Sequence, residues 1–124
     1  EEAGSIQARA EDILSAPVIM AAQAIRTSLC DLGVERVALL SPYPDWLNVA
    51  AIEYWQRQGF EVVDVQQVST GSDNTDQIYT LGSDVIAPYV NKLLESDADA
   101  FLVSGTGMPA LLSLEILRAS VLNF

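Results

Sequence analysis

Short segments rich in apolar residues alternate with longer amphipathic segments along most of this chain. The runs 37–40 and 100–103 are continuously apolar, which is typical of strands buried on both faces of a parallel sheet, and the valine-rich run 60–68 predicts a further strand. The amphipathic segments repeat apolar side chains at helical spacing, and they predict helices at residues 21–32, 45–58, 83–95 and 109–118. Strands that alternate with helices in this way indicate an α/β fold.

The segment boundaries carry residues that start or end helices. Gly33 and Gly59 follow two of the helices, in the position where a glycine commonly ends a helix. Pro88 is expected near the first turn of its helix and Pro109 at the opening of the last one, where a missing N–H matters least. The apolar run 16–20 is either a further strand or the start of the next helix.

The predicted architecture is a short parallel sheet of about four strands with helices on both faces. Residues 1–15 precede it as a polar, partly helical lead-in. Right-handed crossovers place every strand-to-helix loop at one edge of such a sheet, and ligands of open α/β sheets bind at that carboxyl edge. The loops to inspect are therefore residues 41–48, 69–77 and 104–109.

Composition removes several classes of function. The chain has 124 residues, half of them hydrophobic, which suffices for one domain with a core of its own. Six basic residues against 17 acidic ones give a net charge of −11, so neither nucleic acid nor a membrane is expected as a partner. The absence of histidine removes His-based triads and His-ligated metals. A single cysteine excludes an internal disulfide and is consistent with the cytoplasm.

The loop 104–109 is the first candidate for chemistry. Its two glycines, Gly105 and Gly107, let backbone N–H groups turn inward near a helix N-terminus, which suits a carboxylate or an oxyanion. Ser104 and Thr106 add hydroxyl donors. The alternative is a tight strand-to-helix turn with no ligand.

The other two loops offer polar side chains. In the first, Ser41 and Tyr43 follow the strand and Asn48 lies just inside the next helix, so the phenol can serve as a donor or acid at the carboxyl edge. The alternative is a ring that covers the helix end and an amide that satisfies a loop carbonyl. In the second, Asn74 either reaches a ligand or belongs to a solvated loop. The spacing of acidic residues there does not fit an EF-hand, and we expect no metal.

Cys30 lies on a predicted helix close to Leu29 and Leu32. Its surroundings in the sequence favour a small core residue over a nucleophile.

Three stretches of the chain carry the motifs of a known group. The first is Ala38-Leu39-Leu40-Ser41-Pro42-Tyr43, then Asn48, then Gln58-Gly59-Phe60-Glu61-Val62. The second is Asp97-Ala98-Asp99-Ala100-Phe101-Leu102-Val103-Ser104-Gly105 with Met108-Pro109, and the third is Leu32-Gly33-Val34-Glu35-Arg36-Val37. In this order and spacing they resemble the maleate cis-trans isomerase and arylmalonate decarboxylase group of the aspartate/glutamate racemase superfamily.

This resemblance implies two pseudosymmetric flavodoxin-like lobes, each a three-layer αβα unit, with the active site between them. Residues 1–124 are then a single lobe similar to the second one. The group binds small carboxylates without metal or organic cofactor and commonly uses one cysteine from each lobe. The substrate-binding residues implied or suggested here are Ser41, Tyr43, Asn48, Asn74, Ser104, Gly105, Thr106 and Gly107.

The chain departs from the group at both thiols. The second-lobe cysteine position falls at about Gly105, and Ala3-Gly4-Ser5-Ile6 is similar to the end of the first-lobe cysteine segment without its cysteine. No catalytic residue is therefore expected within this chain. Two hypotheses follow: a lobe of a cofactor-independent isomerase, racemase or decarboxylase for a small dicarboxylate or α-substituted carboxylate, or an inactive homologue that binds small carboxylates or mediates oligomerisation. The exposed face of a single lobe implies a homo-oligomer or a missing first lobe. A flavodoxin-like domain of another kind is the third alternative.

Overall fold

A computed structural model gives the fold of residues 2–72 and 74–121. The chain divides into two compact units, Glu1–Gly33 and Val34–Phe124, which we call the N-terminal and C-terminal units. The N-terminal unit holds helices α1 (Glu2–Leu14) and α2 (Ala21–Asp31). The C-terminal unit holds β1 (Arg36–Ser41), α3 (Asp45–Arg57), β2 (Glu61–Gln67), a 3₁₀ helix (Thr75–Thr80), α4 (Ser83–Leu93), β3 (Ala100–Val103) and α5 (Leu111–Val121).

The segment between α1 and α2 is neither a strand nor a helix. Side chains of α1 occupy its backbone groups: Gln7 Nε2 donates to the Val18 carbonyl at 2.8 Å, and Val18 N–H donates to Glu11 Oε1 at 3.1 Å. Because the polar groups of Val18 already have these partners, they are not free to join a sheet. This segment was the candidate for a further strand, and the described sheet has three strands instead of about four.

The three strands form a parallel sheet in the order β2-β1-β3. The chain leaves β1 toward β2 through α3, then returns across β1 to reach β3 through α4. With right-handed crossovers, these opposite directions place α3 and α4 on opposite faces of the sheet. The predicted α/β class with helices on both faces is therefore confirmed.

The alternation of side chains along β1 divides the core between the two faces. Ala38 and Leu40 are fully buried in a cluster with Ile86 and Val90 of α4 and Leu117 of α5. Val37 and Leu39 are equally buried but point to the other face, since successive strand residues alternate. A central strand that is buried on both sides explains the continuous apolar run in the sequence.

Two prolines and the cysteine lie differently from what the sequence predicts. Pro88 is the sixth residue of α4 and not in its first turn, and α5 begins at Leu111, two residues beyond Pro109. A turn closed by Met108 N–H donating to the Gly105 carbonyl at 2.8 Å comes before that helix. Cys30 is exposed, so its prediction as a core residue is wrong.

Side chains align the starts of the strands at the amino edge of the sheet. Asp99 Oδ2 accepts the N–H groups of Glu35 at 3.1 Å and Arg36 at 2.8 Å, just before β3 and at the start of β1. Arg36 also pairs with Asp97 through Nη1 and with Asp99 through Nη2, the latter at 3.6 Å. These contacts fix the register of β1 against β3 before either strand enters the core.

Candidate functional site

The strand order creates a crevice at the carboxyl edge between β1 and β3. The loop after β1 leads to α3 on one face, while the loop after β3 leads to α5, which packs with α4 on the other face. Loops that diverge from adjacent parallel strands open a crevice at the edge, the usual ligand position in open α/β sheets. The predicted loops 41–48 and 104–109 border this crevice.

Gly105 allows the two loops to approach each other. Its φ is +82°, a region that side chains rarely adopt, and a Cβ at this position would lie 2.5 Å from Cγ of Pro42. Pro42 is itself buried and rigid, so it cannot move aside. Both backbone conformation and space therefore require glycine here, at the position where the resemblance places a cysteine.

The main-chain amides of the 104–109 loop are partly used and partly free. Ser104 N–H donates to the Leu40 carbonyl at 2.9 Å, which continues the pairing of β3 with β1. Among the described residues, the N–H groups of Gly105, Thr106 and Gly107 form no hydrogen bond. Three consecutive free donors at a bend are suited to an anion, because they present partial positive charge without a competing acceptor.

Two polar side chains hold the β1 loop from inside. Ser41 and Asn48 are only 2% and 6% exposed, and the Ser41 hydroxyl donates to Asn48 Oδ1. Asn48 Nδ2 donates to the Tyr43 carbonyl at 2.8 Å, and Tyr43 N–H donates to Ser41 Oγ at 3.3 Å. This network positions Tyr43 at the edge of the crevice. The sequence allowed Asn48 either a role at the site or a hydrogen bond to a loop carbonyl, and the structure shows the hydrogen bond.

A cleft of about 270 Å³ occupies the crevice, and we call it the β1–β3 cleft. Four of the predicted residues line it together, from two different loops: Tyr43, Gly105, Thr106 and Gly107. The 3₁₀ helix supplies the remaining wall through Thr75, Asp76, Ile78 and Tyr79. No lysine or arginine is among these lining residues, so an anion in this cleft would rely on hydroxyl and backbone donors.

Asn74 is not among the residues that line this cleft, and it caps the 3₁₀ helix. Its Oδ1 accepts the N–H of Asp76 at 3.0 Å, and its own side chain is exposed. The polar loop predicted for residues 69–77 therefore ends earlier, because the last residues of that range begin the helix. The Asn-x-Asp spacing was a signal for this capped turn that the sequence analysis missed.

A second cleft of about 330 Å³ opens on the other side of Tyr43, between the loops after β1 and β2, and we call it the β1–β2 cleft. Asp45, Trp46 and Gln67 line it together with the hydroxyl-rich residues 69–72. None of these three side chains was singled out from the sequence. Gln67 follows a strand as its last residue, and that position at the carboxyl edge was an available signal.

The described residues contain no group of three histidine, cysteine, aspartate or glutamate side chains arranged to hold a metal ion. None of the helices in that part of the chain is long and apolar enough to cross a bilayer.

Comparison with known structures gives the same fold. The chain superimposes on the Nocardia farcinica maleate cis-trans isomerase bound to TRIS with a TM-score of 0.83 and 21% identity, covering 97% of this chain and 50% of that one. A crystal structure of arylmalonate decarboxylase matches with a TM-score of 0.79 and 18% identity, over 95% of this chain and 52% of the other. A comparison with curated proteins finds no match.

A third match is a variant of the Nocardia farcinica isomerase with a covalently bound succinylcysteine intermediate, at a TM-score of 0.82 and 21% identity, over 94% of this chain and 49% of the other. The chain therefore spans about half the length of the structures it matches.

Fold and cleft together describe an α/β lobe with a cleft at the carboxyl edge of a parallel sheet, lined by residues with free backbone N–H groups and by the Asp76 carboxylate. The family model for arylmalonate decarboxylase matches residues 3–122. Because this covers nearly the whole sequence, the chain belongs to the arylmalonate decarboxylase family.

Proposed function

We propose that residues 1–124 are the second lobe of a cofactor-independent enzyme of the cytoplasm that acts on a small dicarboxylate or α-substituted carboxylate. The reaction class is isomerisation, racemisation or decarboxylation. Membership of the arylmalonate decarboxylase family and the half-length coverage of its structural relatives support this proposal. The completing lobe comes from further sequence of the same protein or from a second chain.

The observation that carries the proposal is the set of three free amides at Gly105, Thr106 and Gly107, residues that line the same cleft as Tyr43. Backbone N–H groups that are already aimed at a developing negative charge stabilise it without reorganisation. We assign one substrate carboxylate, or the enediolate formed from it, to this loop. Tyr43 and Thr106 orient the substrate, and Asn74 contributes from the rim.

The thiol required by such chemistry is not provided by this lobe. Gly105 occupies the position that the resemblance gives to the second cysteine, and the contact with Pro42 leaves no space for a side chain. Cys30 belongs to α2 of the N-terminal unit and is not among the residues that line the cleft. We therefore propose that a single thiol, supplied by the completing lobe, carries the covalent or proton-transfer step.

The test is turnover of a matched substrate panel by the longest gene product that contains this chain. Phenylmalonate, maleate and aspartate report decarboxylation, isomerisation and racemisation, each followed by proton NMR, with aspartate in D2O so that racemisation replaces its α-proton with deuterium. We expect turnover of one of them without added metal or cofactor and its loss when the first-lobe cysteine is replaced by alanine. Absence of turnover in the protein with that thiol intact would contradict the enzymatic proposal.

A second candidate function is a non-catalytic carboxylate-binding or oligomerisation module. Exposed apolar residues at the same edge favour it: Trp46 and Tyr79 are 67% and 74% exposed, and Leu111 at the start of α5 is 75% exposed. Exposed side chains of this kind commonly mark an interface. Turnover of the substrate panel separates the candidates, since this module should show none, while sedimentation of the 124-residue chain should show a homo-oligomer that Trp46→Ser and Leu111→Ser dissociate.

A further inference from the structure

The β1–β2 cleft is a cavity that the proposed function leaves unused. It lies beside the β1–β3 cleft, and Tyr43 lines both of them. A ligand bound at the 104–107 loop would therefore meet this second cleft on passing the Tyr43 side chain. The chemistry of the second cleft decides which substituent it can accept.

A single carboxylate is held in place within the β1–β2 cleft. Gln67 Nε2 donates to Asp45 Oδ1 at 2.8 Å and to the Tyr43 carbonyl at 3.0 Å. These two bonds connect the Asp45 carboxylate to the last residue of β2 and to the β1 loop. Within the described chain, Asp45 Oδ2 forms no hydrogen bond, so one carboxylate oxygen remains available.

An exposed aromatic side chain lines the same cleft as this carboxylate. Trp46 lines the same cleft and is 67% exposed, whereas the other tryptophan, Trp55, is buried and packs edge-on against Tyr54 and Phe60. A cleft lined by both a tryptophan and a carboxylate is a favourable environment for an organic cation, since the ring quadrupole and the negative charge both attract it.

The charges around the β1–β2 cleft favour the binding of a cation. No lysine or arginine lines it, and the protein carries a net charge of −11. The N-terminus of α3 contributes a partial positive charge, but Asp45 lies in its first turn and carries a full negative one. The remaining polar groups are hydroxyls of Ser69, Thr70 and Ser72, which can accept as well as donate.

We propose that the β1–β2 cleft binds an ammonium group, so that the ligand of this lobe is a zwitterion with its carboxylate at the 104–107 loop and its cation against Asp45 and Trp46. Tyr43 lies between the two halves. The carboxylate half rests on the proposed function, whereas the ammonium half depends only on the second cleft.

Tetramethylammonium tests the second cleft by itself. In NMR titrations of the 124-residue chain, the indole N–H resonance of Trp46 should shift saturably, while that of the buried Trp55 stays constant. Asp45→Asn keeps an acceptor for Gln67 but removes the charge, and it should weaken binding about five- to tenfold. Asp84→Asn is the matched control, since it removes one exposed charge from the first turn of α4, outside both clefts. No Trp46 shift, or equal weakening in both variants, would overturn the ammonium site.

A matched ligand pair tests the zwitterion. γ-Trimethylammonio-butanoate and its isostere with a quaternary carbon in place of the nitrogen differ only in the positive charge. We expect the ammonium compound to bind about five- to tenfold more tightly, with this preference lost in Asp45→Asn. Malonate, which has no cation, should bind the chain and Asp45→Asn equally. If the chain binds tetramethylammonium but not malonate, the carboxylate half of the proposal alone is rejected. If the chain binds the ammonium compound and its uncharged isostere equally, the ammonium half is rejected.

Discussion

The two edges of the same parallel sheet are stabilised in opposite ways. At the amino edge, charged side chains hold the strands: Asp99 accepts two backbone N–H groups, and Arg36 pairs with Asp97 and Asp99. At the carboxyl edge, a buried uncharged network of Ser41 and Asn48 fixes one loop, and a glycine without a side chain lets the next loop approach.

The two edges of the sheet therefore differ in role: contacts at the amino edge set the strand register, and ligand binding is proposed at the carboxyl edge. Charged side chains at the amino edge align the strands, and Asp99 occupies the backbone N–H groups of Glu35 and Arg36 there. At the carboxyl edge, buried Ser41 and Asn48 support the β1 loop, and the N–H groups of residues 105–107 form no hydrogen bond within the described chain. The same sheet therefore has one edge where side chains occupy backbone donors and one edge where backbone donors remain free, and the second is where we propose that the ligand binds.

The largest effect is expected from adding a side chain at the loop contact. Gly105→Ala forces alanine into φ +82° and places its Cβ against Pro42, which we expect to lower the free energy of unfolding by about 3 kcal/mol. Gly59→Ala is the control, because its φ is +96° but nothing lies within 4 Å of the added Cβ, and it should cost only about 1 kcal/mol. Denaturant unfolding of both variants measures the difference, and equal losses would show that the Pro42 contact is not limiting.

A smaller loss is expected from the buried network. Asn48→Leu leaves the Ser41 hydroxyl and the Tyr43 carbonyl without their partner, and it should lower the free energy of unfolding by about 2 kcal/mol. Asn91→Leu, at an exposed position of α4, should change it by less than about 0.5 kcal/mol. Combining Asn48→Leu with Ser41→Ala should cost less than the sum of the two, and simple additivity would argue against a shared network.

Removing the cap of the 3₁₀ helix should lower the free energy of unfolding by still less. Asn74→Ala removes the acceptor for the Asp76 N–H in an exposed turn, and we expect a loss of about 0.5 kcal/mol in unfolding free energy. Asn74→Asp keeps the acceptor and should restore most of it. If the alanine variant binds malonate as tightly as the original chain, Asn74 is only a cap and its predicted contact with substrate is wrong.

The smallest effect is expected at the exposed amino edge, where it should depend on pH. Hydrogen bonds from the N–H groups of Arg36 and Glu35, and then the Arg36 charge, lower the pKa of Asp99 below its ordinary value of 3.8. Although desolvation works against it, Asp97 and Asp99 raise the pKa of Arg36. A lowered pKa means that the Asp99 carboxylate stabilises the fold above pH 3.8 and loses this contribution as the pH falls through the folded value.

The expected loss of stability on acidification is tested by measuring the free energy of unfolding of the original chain and of Asp99→Asn from neutral pH downward. Because the variant has no charge to titrate at this position, the difference between the two should be constant at higher pH and shrink below about pH 4. A difference that grows on acidification would contradict the assignment.

Local patterns were sufficient for most elements and insufficient for contacts between distant residues. The apolar run 37–40 identified the central strand because burial on both faces removes any alternation. The run 16–20 was equally apolar, but Gln7 and Glu11 of α1 bind its backbone, and no local rule predicts that. Pro109 was placed at a helix start, although a turn closed at Met108 delays the helix by two residues.

The candidate site was predictable as a set of loops but not as a geometry. Parallel strands bring loops 41–48 and 104–109 to one edge, which the α/β pattern already implied. The contact of Gly105 with Pro42 joins residues far apart in sequence, so it depends on the register of β1 against β3. Asp45, Trp46 and Gln67 escaped notice for the same reason, since their shared cleft exists only after β1 and β2 pair.

The most direct test of the account is a titration of the 124-residue chain with malonate, followed through its backbone amide resonances. The free amides of Gly105, Thr106 and Gly107 are expected to shift together and saturably, whereas those of Glu35 and Arg36, already bonded to Asp99, should not move. Saturable shifts confined to the amino edge, or none at residues 105–107, would contradict the claim that the carboxyl edge is the binding edge.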